Sequence, residues 1–219
     1  MKKSNYIIHD CETGGLDPNK NPITQYACVI LDYKTLKEVD RFETYVKPYN
    51  DLVIDKQALD ATMVTMSDIK SGMTHKEFVK TVVAFWEEHR AKAKNKEMGR
   101  LVSVGHNVPF DHGFLDYALK LSGDTIWNYL QPNFVDTFVM AKMAWGLSGD
   151  EKLNLGASCE RTKIKLTDAH GAMNDVEATA DLFRWFVKKL RSGKSTSAVE
   201  ETAGRARGTE FFEFKCGAK

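Results

Sequence analysis

Long apolar runs, closely spaced cysteines and a large excess of one charge are all absent from this chain of 219 residues. No stretch of about 18 apolar residues occurs, so we expect no transmembrane helix. The apolar segment near the start, Tyr6-Ile7-Ile8, is too short for a signal peptide. The four cysteines form no CxxC pair, which argues against a structural zinc site. We therefore expect a cytoplasmic protein with reduced thiols and no membrane partner.

The charge balance is close to neutral, with 31 Lys and Arg residues against 30 Asp and Glu residues. Such a balance gives no strong basic field for nucleic acid, although it allows a local basic patch. Hydrophobic residues make up 42% of the chain, which is enough for a sizeable core. The length suits one α/β domain of roughly 150–200 residues with an extension.

Hydrophobic periodicity divides the chain into an ordered series of strands and helices. Three strand-like segments come first, and later strand-like segments alternate with helices, which favours a mixed central sheet flanked by helices. A capping box from Thr74 to Glu77 marks the start of the first long helix. The predicted strands cover residues 6–10, 23–31, 39–46, 101–104 and 133–135, and the predicted helices cover residues 75–92, 111–121, 136–145, 153–161 and 172–190.

Asp10 and Glu12 are two residues apart at the end of the first predicted strand. The two-residue period of a strand puts both carboxylates on one face. Carboxylates this close repel each other unless a cation or a shared proton lies between them. Oxygen ligands without Cys or His favour Mg²⁺ or Mn²⁺. Taken alone, however, the two residues are more typical of a solvated strand end.

Three further residues strengthen the case for a metal site. Asp111 heads a helix after the fourth predicted strand, Asp175 lies in the first turn of the last predicted helix, and His170 precedes Asp175 in a loop. Each alone is explained by the helix dipole or by surface exposure. Together, four carboxylates suit two divalent ions about 4 Å apart, an arrangement used in phosphodiester hydrolysis. The imidazole can accept a proton near neutral pH.

Three motifs carry these residues in a fixed order. They read Asp10-Cys11-Glu12-Thr13, His106-Asn107-Val108-Pro109-Phe110-Asp111 and His170-Gly171-Ala172-Met173-Asn174-Asp175. In this order the chain resembles the DEDDh 3′–5′ exonucleases, the family that includes the proofreading epsilon subunit of bacterial replicative polymerases. The resemblance extends over roughly residues 5–188. It implies a ribonuclease H-like α/β fold whose five-stranded mixed sheet has three antiparallel strands followed by two parallel ones.

The resemblance also implies a role for each motif residue. The carboxylates would hold two Mg²⁺ or Mn²⁺ ions, with Asp10 bridging both ions and Asp111 acting through water. His170 would be the general base, because the related subgroup with a tyrosine base places it where this chain has Gly171. The implied catalytic residues are Asp10, Glu12, Asp111, His170 and Asp175, and the implied metal ligands are the four carboxylates among them.

A second set of positions matches residues that hold the 3′-terminal nucleotide in the family. Backbone groups of Thr13 and Gly14 would meet the terminal 3′-OH, and Leu16 would pack on the last base. Simple packing within the turn is the alternative role for Leu16. Asn107 either binds substrate or braces its loop, and the sequence favours neither role.

Two features depart from the family pattern. This chain reads Thr13-Gly14-Gly15 where family members often read Thr-Thr-Gly, and we expect the extra glycine to loosen the loop. Residues 64–67 replace a frequent Val-His-Gly-Ile turn, so a substrate-contacting histidine is missing and the substrate preference is left open.

The resemblance divides the chain into an exonuclease domain over residues 1–190 and a linker with an aromatic tail over residues 191–219. The tail contains Phe211-Phe212-Glu213-Phe214, which either docks on a DNA polymerase or folds back as an extra strand. The leading function is release of nucleoside 5′-monophosphates from the 3′ end of single-stranded or frayed DNA, in proofreading or repair. The alternatives are RNA 3′-end trimming of the ribonuclease T or oligoribonuclease type, and a non-catalytic module that binds nucleic acid or a polymerase.

Overall fold

A five-stranded mixed sheet forms the centre of the protein. The computed structural model describes residues 4–90, 99–146, 152–167 and 171–192. The strands are Tyr6–Thr13 (β1), Ile23–Leu31 (β2), Glu38–Tyr45 (β3), Val102–Gly105 (β4) and Val135–Asp136 (β5). Their order across the sheet is β3-β2-β1-β4-β5. The first three pair antiparallel, and β4 and β5 run parallel to β1. The predicted sheet is thus confirmed.

Seven α-helices accompany the sheet in the described part of the chain. They are Lys56–Ala61 (α1), Met66–Ser71 (α2), His75–His89 (α3), Val108–Lys120 (α4), Thr137–Trp145 (α5), Leu155–Thr162 (α6) and Ala172–Ser192 (α7). A 3₁₀ turn covers Ile126–Asn128. Of these helices, none combines the length and the apolarity that crossing a bilayer requires.

Alternation along β1 places its side chains on two different core layers. Ile8 packs with Val176 and Ala180 of α7 on one face of the sheet. Ile7 and Cys11 belong to the larger cluster on the opposite face, which α3 and α4 cover. Since Asp10 and Glu12 share the alternation of Ile8, both point toward the α7 side. The fold therefore presents two carboxylates to the last helix.

The first strand is three residues longer than its apolar run predicts. Its pairing with β2 continues through Asp10 opposite Ala27 and Glu12 opposite Gln25. Because β2 is buried along its whole length, it supplies backbone partners past the last apolar residue of β1. The acidic motif thus lies inside a paired strand rather than after it, which restricts the backbone that carries both carboxylates.

Several helix boundaries also differ from the prediction. The helices α1 and α2 were not predicted, because six residues are too few to show a helical period. The helix α4 begins at Val108, three residues before the predicted start, with a proline in its first turn. The capping box at Thr74 is confirmed, since its hydroxyl accepts from the Glu77 N–H and its own N–H donates to the Glu77 carboxylate.

Candidate active site

The first and third motifs meet where β1 faces α7. One carboxylate oxygen from each of Asp10, Glu12 and Asp175 lies within 4.8 Å of the other two. A divalent ion bound by oxygen ligands at about 2.1–2.4 Å can bridge atoms at such separations. The start of α7 is held in place by Gln25, whose side-chain oxygen accepts from the Ala172 N–H at 3.2 Å. Gln25 is opposite Glu12 in the sheet, so this contact aligns Asp175 with the two strand carboxylates.

Asp111 approaches from α4 and binds the backbone of β1. Its Oδ1 atom accepts from the Cys11 N–H at 3.0 Å, and the side chain is buried. Pairing between β1 and β4 ends at Ile8 and Val104, so the carboxylate satisfies a backbone donor past the end of β4. The fourth predicted carboxylate thus contacts β1 at Cys11, the residue between Asp10 and Glu12, but it is outside the three-residue cluster.

Burial and mutual repulsion raise the pKa values of these carboxyls. Burial, followed by the charge of Asp175, raises the pKa of Asp10 to about 7. Burial, followed by the charges of Asp10 and Asp175, raises the pKa of Glu12 to about 8. Burial and the neighbouring Asp10 also raise the pKa of Asp111. A divalent cation removes both causes, because it replaces water as a ligand and cancels the repulsion. The donor set fits Mg²⁺ or Mn²⁺.

The raised pKa values predict that metal-free protein loses stability as pH rises. The carboxyls of Asp10 and Glu12 titrate near pH 4 in an unfolded chain but at about 7 and about 8 in the folded protein. Between these limits the folded state holds more protons, so the free energy of unfolding falls with increasing pH. We expect a fall on the order of 3 kcal/mol. Urea denaturation in EDTA measures it from about pH 7, above the range in which unfolding lets the buried His9 and His112 gain protons, to about pH 8.5. A flat or rising curve in this range would contradict the coupling.

The second motif is held by Asp136, a residue that sequence reasoning missed. Its carboxylate accepts from the N–H groups of Asn107 and Val108, each at 3.0 Å, and from the Phe138 N–H at 2.9 Å. Asn107 has φ +77°, in the left-handed region that is strained for most residues. Asn107 therefore braces its loop through its backbone. Because Asp136 ends β5 and caps both α4 and α5, it fixes the helix that carries Asp111.

We expect Asp136→Ala to destabilise the protein by about 2–4 kcal/mol, because three buried or partly buried N–H donors lose a charged acceptor. Chemical denaturation measures the change. Asp32→Ala is the matched control, since Asp32 accepts a similar set of N–H and O–H donors in an exposed turn. We expect the control to lose less than about 1 kcal/mol. Equal losses in both variants would show that Asp136 is an ordinary turn residue.

His106, the first residue of the second motif, connects three segments. Its Nδ1 atom is 3.0 Å from the Thr137 hydroxyl, and its Nε2 atom is 2.9 Å from the Leu153 carbonyl oxygen. Thr137 in turn donates to the Gly105 carbonyl at 2.8 Å. His106 thus joins the end of β4 to the start of α5 and to the segment before α6. The sequence offered only its place in the motif as a signal.

The loop after β1 is tightly packed, contrary to the expectation from its two glycines. A Cβ atom on Gly15 would lie 2.4 Å from the Asn21 side chain, and one on Gly14 would lie 3.1 Å from the Ile54 Cα. The Asn21 amide donates to the carbonyls of Val53 and Gly14. The Thr13 hydroxyl donates to the Gly15 carbonyl at 2.6 Å. The second glycine therefore allows close packing rather than loosening the loop.

A cleft of about 850 Å³ lies beside the acidic residues. Glu12 and Thr13 line its inner end, and Leu16 and Phe110 lie among its apolar lining residues. Leu16 is 86% exposed, so its side chain does not pack within the turn, which was its alternative role. Phe110 packs on Phe114 with ring centroids 5.0 Å apart. The cleft thus offers apolar side chains next to carboxylates.

Two predicted features lie outside the described residues. His170, the predicted general base, is the last of residues 168–170, and the aromatic tail falls within residues 193–219. The helix α7 itself extends to Ser192, two residues past the predicted end of the domain.

Residues 7–183, most of the chain, match the model of the RNase T family, which is described as Exonuclease. The chain belongs to the RNase T exonuclease family. It is a hydrolase of the DEDDh 3′–5′ exonuclease type, so the enzymatic prediction is confirmed over the non-catalytic module. Members of this family use divalent metals, and the cluster of Asp10, Glu12 and Asp175 provides acidic ligands of the required kind.

Individual relatives of this RNase T family member differ in size. Ribonuclease T of Marinobacter nauticus is 29% identical over 192 residues, which cover 84% of this chain and 83% of the relative. A PolC-type DNA polymerase III of Bacillus cereus is 30% identical over 192 residues, 87% of this chain but 12% of the polymerase. E. coli Exonuclease I, crystallised with a dT13 oligonucleotide, shares the fold with a TM-score of 0.68 at 20% identity. The match covers 91% of this chain and 43% of Exonuclease I.

Proposed function

We propose that this exonuclease removes nucleoside 5′-monophosphates from the 3′ end of single-stranded or frayed DNA, in proofreading or repair. The observation that carries the proposal is the cluster of three carboxylates, one of which, Glu12, also lines an open cleft. Likeness to the polymerase, and the fold shared with an exonuclease that binds dT13, support DNA as the substrate. The tail over residues 191–219 is proposed to dock on a polymerase.

RNA 3′-end trimming is the second candidate function. It is favoured by the relative named ribonuclease T, because the match extends along 83% of that protein. The two candidates share the motif residues and differ only in the sugar that the cleft accepts. The residues in place of the missing substrate histidine do not select one, since Thr65 caps α2 and Val64 is buried.

Each motif residue has its own role in the proposed site. Asp10, Glu12 and Asp175 would hold two Mg²⁺ or Mn²⁺ ions, and Asp111 would complete the acidic set. When bound, the ions supply Lewis-acid stabilisation to the attacking and leaving oxygens. His170 accepts a proton from the attacking water.

The cleft holds the terminal nucleotide in this proposal. Backbone groups of Thr13 and Gly14 orient the 3′-OH, and Leu16 covers the last base. Asn107 is exposed at the start of α4, where its side chain is available to the substrate. Its backbone is already engaged by Asp136, so a contact with substrate is left to the side chain.

Equal concentrations of 5′-labelled DNA and RNA strands of one sequence, mixed with the protein and Mg²⁺, test the substrate. We expect the DNA to shorten faster, and chimeric strands with a single ribose at the 3′ end show whether the terminal sugar decides. RNA cleavage at least about tenfold faster would replace the proposal with RNA trimming. Failure to shorten either strand would contradict both candidates.

We expect Leu16→Ala to raise KM about fivefold to tenfold while kcat changes little, because covering the exposed leucine with a base buries apolar surface that contributes about 1–1.5 kcal/mol. Its Tm should not change, since the side chain is 86% exposed. Steady-state kinetics on a short strand measure the effect. Leu190→Ala is the matched control, because Leu190 is an equally exposed leucine at the far end of α7. Equal KM values for both variants would remove Leu16 from substrate binding.

A further inference from the structure

Three buried polar side chains, His9, Ser103 and His112, are hydrogen-bonded to one another next to the acidic residues. None of them takes part in the contacts that the carboxylates make. The Ser103 hydroxyl is 2.5 Å from Nε2 of His9 and 2.9 Å from Nε2 of His112. The two imidazole rings stack with centroids 5.5 Å apart and planes 11° apart. All three side chains are at most 5% exposed. Three elements, β1, β4 and α4, thus meet at one hydroxyl.

Hydrogen-bond accounting assigns the protons in this bridge. A serine hydroxyl has one proton, so it donates to one imidazole and accepts from the other. Nδ1 of His9 is buried, and it has no hydrogen-bond partner among the described residues. A buried N–H without an acceptor is rarer and more costly than an unused lone pair, so the His9 proton lies on Nε2. His9 therefore donates to Ser103, and Ser103 donates to His112.

His112 is neutral in this arrangement, because its Nε2 atom accepts the single proton of the Ser103 hydroxyl. The edges of Trp127 and Phe134 enclose His112, with ring centroids 5.4 Å and 5.5 Å away. The bridge is therefore a fixed set of hydrogen bonds inside the core.

The position of the bridge in the chain gives it a consequence for the active site. His9 immediately precedes Asp10, and His112 immediately follows Asp111. Strand pairing between β1 and β4 ends at Ile8, one residue before this point. Two hydrogen-bonded connections therefore join β1 and α4 at the level of the acidic residues, beside the stacked imidazoles: the Cys11 N–H to Asp111, and the Ser103 bridge.

We propose that Ser103 is a positioning residue, whose hydroxyl sets the separation of Asp10 and Asp111 through His9 and His112. This inference rests on the proposed metal-dependent function, because the separation matters only if both carboxylates serve divalent ions. Ser103 touches neither the substrate nor the ions. Its effect is on how well the acidic residues are arranged before an ion binds, as is common for residues that support metal ligands.

Ser103→Ala in the full chain is the test, with Ser158→Ala as the matched control. Ser158 is an equally buried serine in α6, where its hydroxyl donates to the Leu153 carbonyl. We expect Ser103→Ala to weaken Mn²⁺ binding about tenfold by calorimetry and to lower kcat about tenfold, with KM within about twofold of the original protein. Ser103→Ala should lower Tm more than Ser158→Ala does, because the first variant loses two buried hydrogen bonds and the control loses one.

If Ser103→Ala lowers Tm but keeps the Mn²⁺ Kd and kcat of the original protein, Ser103 is merely structural and the inference is wrong. If the original protein itself shows no exonuclease activity, the proposed function is wrong. Two-bond ¹H–¹⁵N spectra of labelled histidines test the bridge without any variant. They should show His9 protonated at Nε2 and His112 at Nδ1, and protonation of His9 at Nδ1 would contradict the assignment.

Discussion

Asp10→Asn should lower exonuclease turnover roughly 10³-fold or more while leaving the fold intact. The amide has nearly the same shape as the carboxylate, but it has no charge and is a much weaker ligand for Mg²⁺ or Mn²⁺. In metal-free protein near pH 8 the variant should be at least as stable as the original, because Glu12 and Asp175 lose a repelling neighbour. Single-turnover kinetics and urea denaturation measure the two effects.

Asp181→Asn is the control for this variant. Asp181 lies on the same helix as Asp175 but forms an exposed ion pair with Arg184, so its removal should change neither turnover nor metal binding. If Asp10→Asn retained normal cleavage with Mg²⁺, the assignment of the acidic cluster as the metal site would be wrong. Loss of activity together with loss of folded structure would also contradict the expectation, since the substitution relieves repulsion.

His170→Ala should lower kcat roughly 10²-fold, the usual scale for loss of a general base. The proposed role follows from the place of His170 five residues before Asp175 in the third motif. The acidic limb of the pH–rate profile should lose the contribution of an imidazole, because a protonated imidazole cannot accept the proton of the attacking water. Rates measured at saturating Mn²⁺ from about pH 5.5 to about pH 9 show this change.

His89→Ala is a suitable histidine control, because His89 contacts Asp40 at the far end of α3. It should leave both the rate and the profile unchanged. A His170→Ala variant whose pH–rate profile matches that of the original protein would remove His170 from the mechanism. The metal site would stand in that case, because its ligands come from other residues.

The elements that the sequence predicted well are those whose signal is local. The last helix has an apolar stripe over about four turns, from Ala172 to Phe186. The capping box at Thr74 is visible in the four residues from Thr74 to Glu77. The directions of the strands, three antiparallel followed by two parallel, came from the resemblance, and the sheet confirms them. The cluster of Asp10, Glu12 and Asp175 also followed, since strand alternation and the first turn of a helix define where these side chains point.

What the sequence did not show depends on contacts between distant residues. His9 and Ser103 are 94 positions apart, and Asp136 reaches Asn107 across 29 positions, so no local pattern marks either contact. The short helix α2 is an intermediate case. Its capping box uses Asp68 where a Glu is the usual partner of Thr65, and that signal could have been found.

The most direct measurement is a gel assay of 5′-labelled single-stranded DNA with the full chain, in EDTA and again after Mg²⁺ is restored. A metal-dependent enzyme working from the 3′ end predicts a ladder that shortens one nucleotide at a time, disappears in EDTA and returns with Mg²⁺. A 3′-terminal label on the same strand should appear as a mononucleotide from the earliest times. A ladder that persists in EDTA, or internal cuts before the 3′ label is released, would contradict the account.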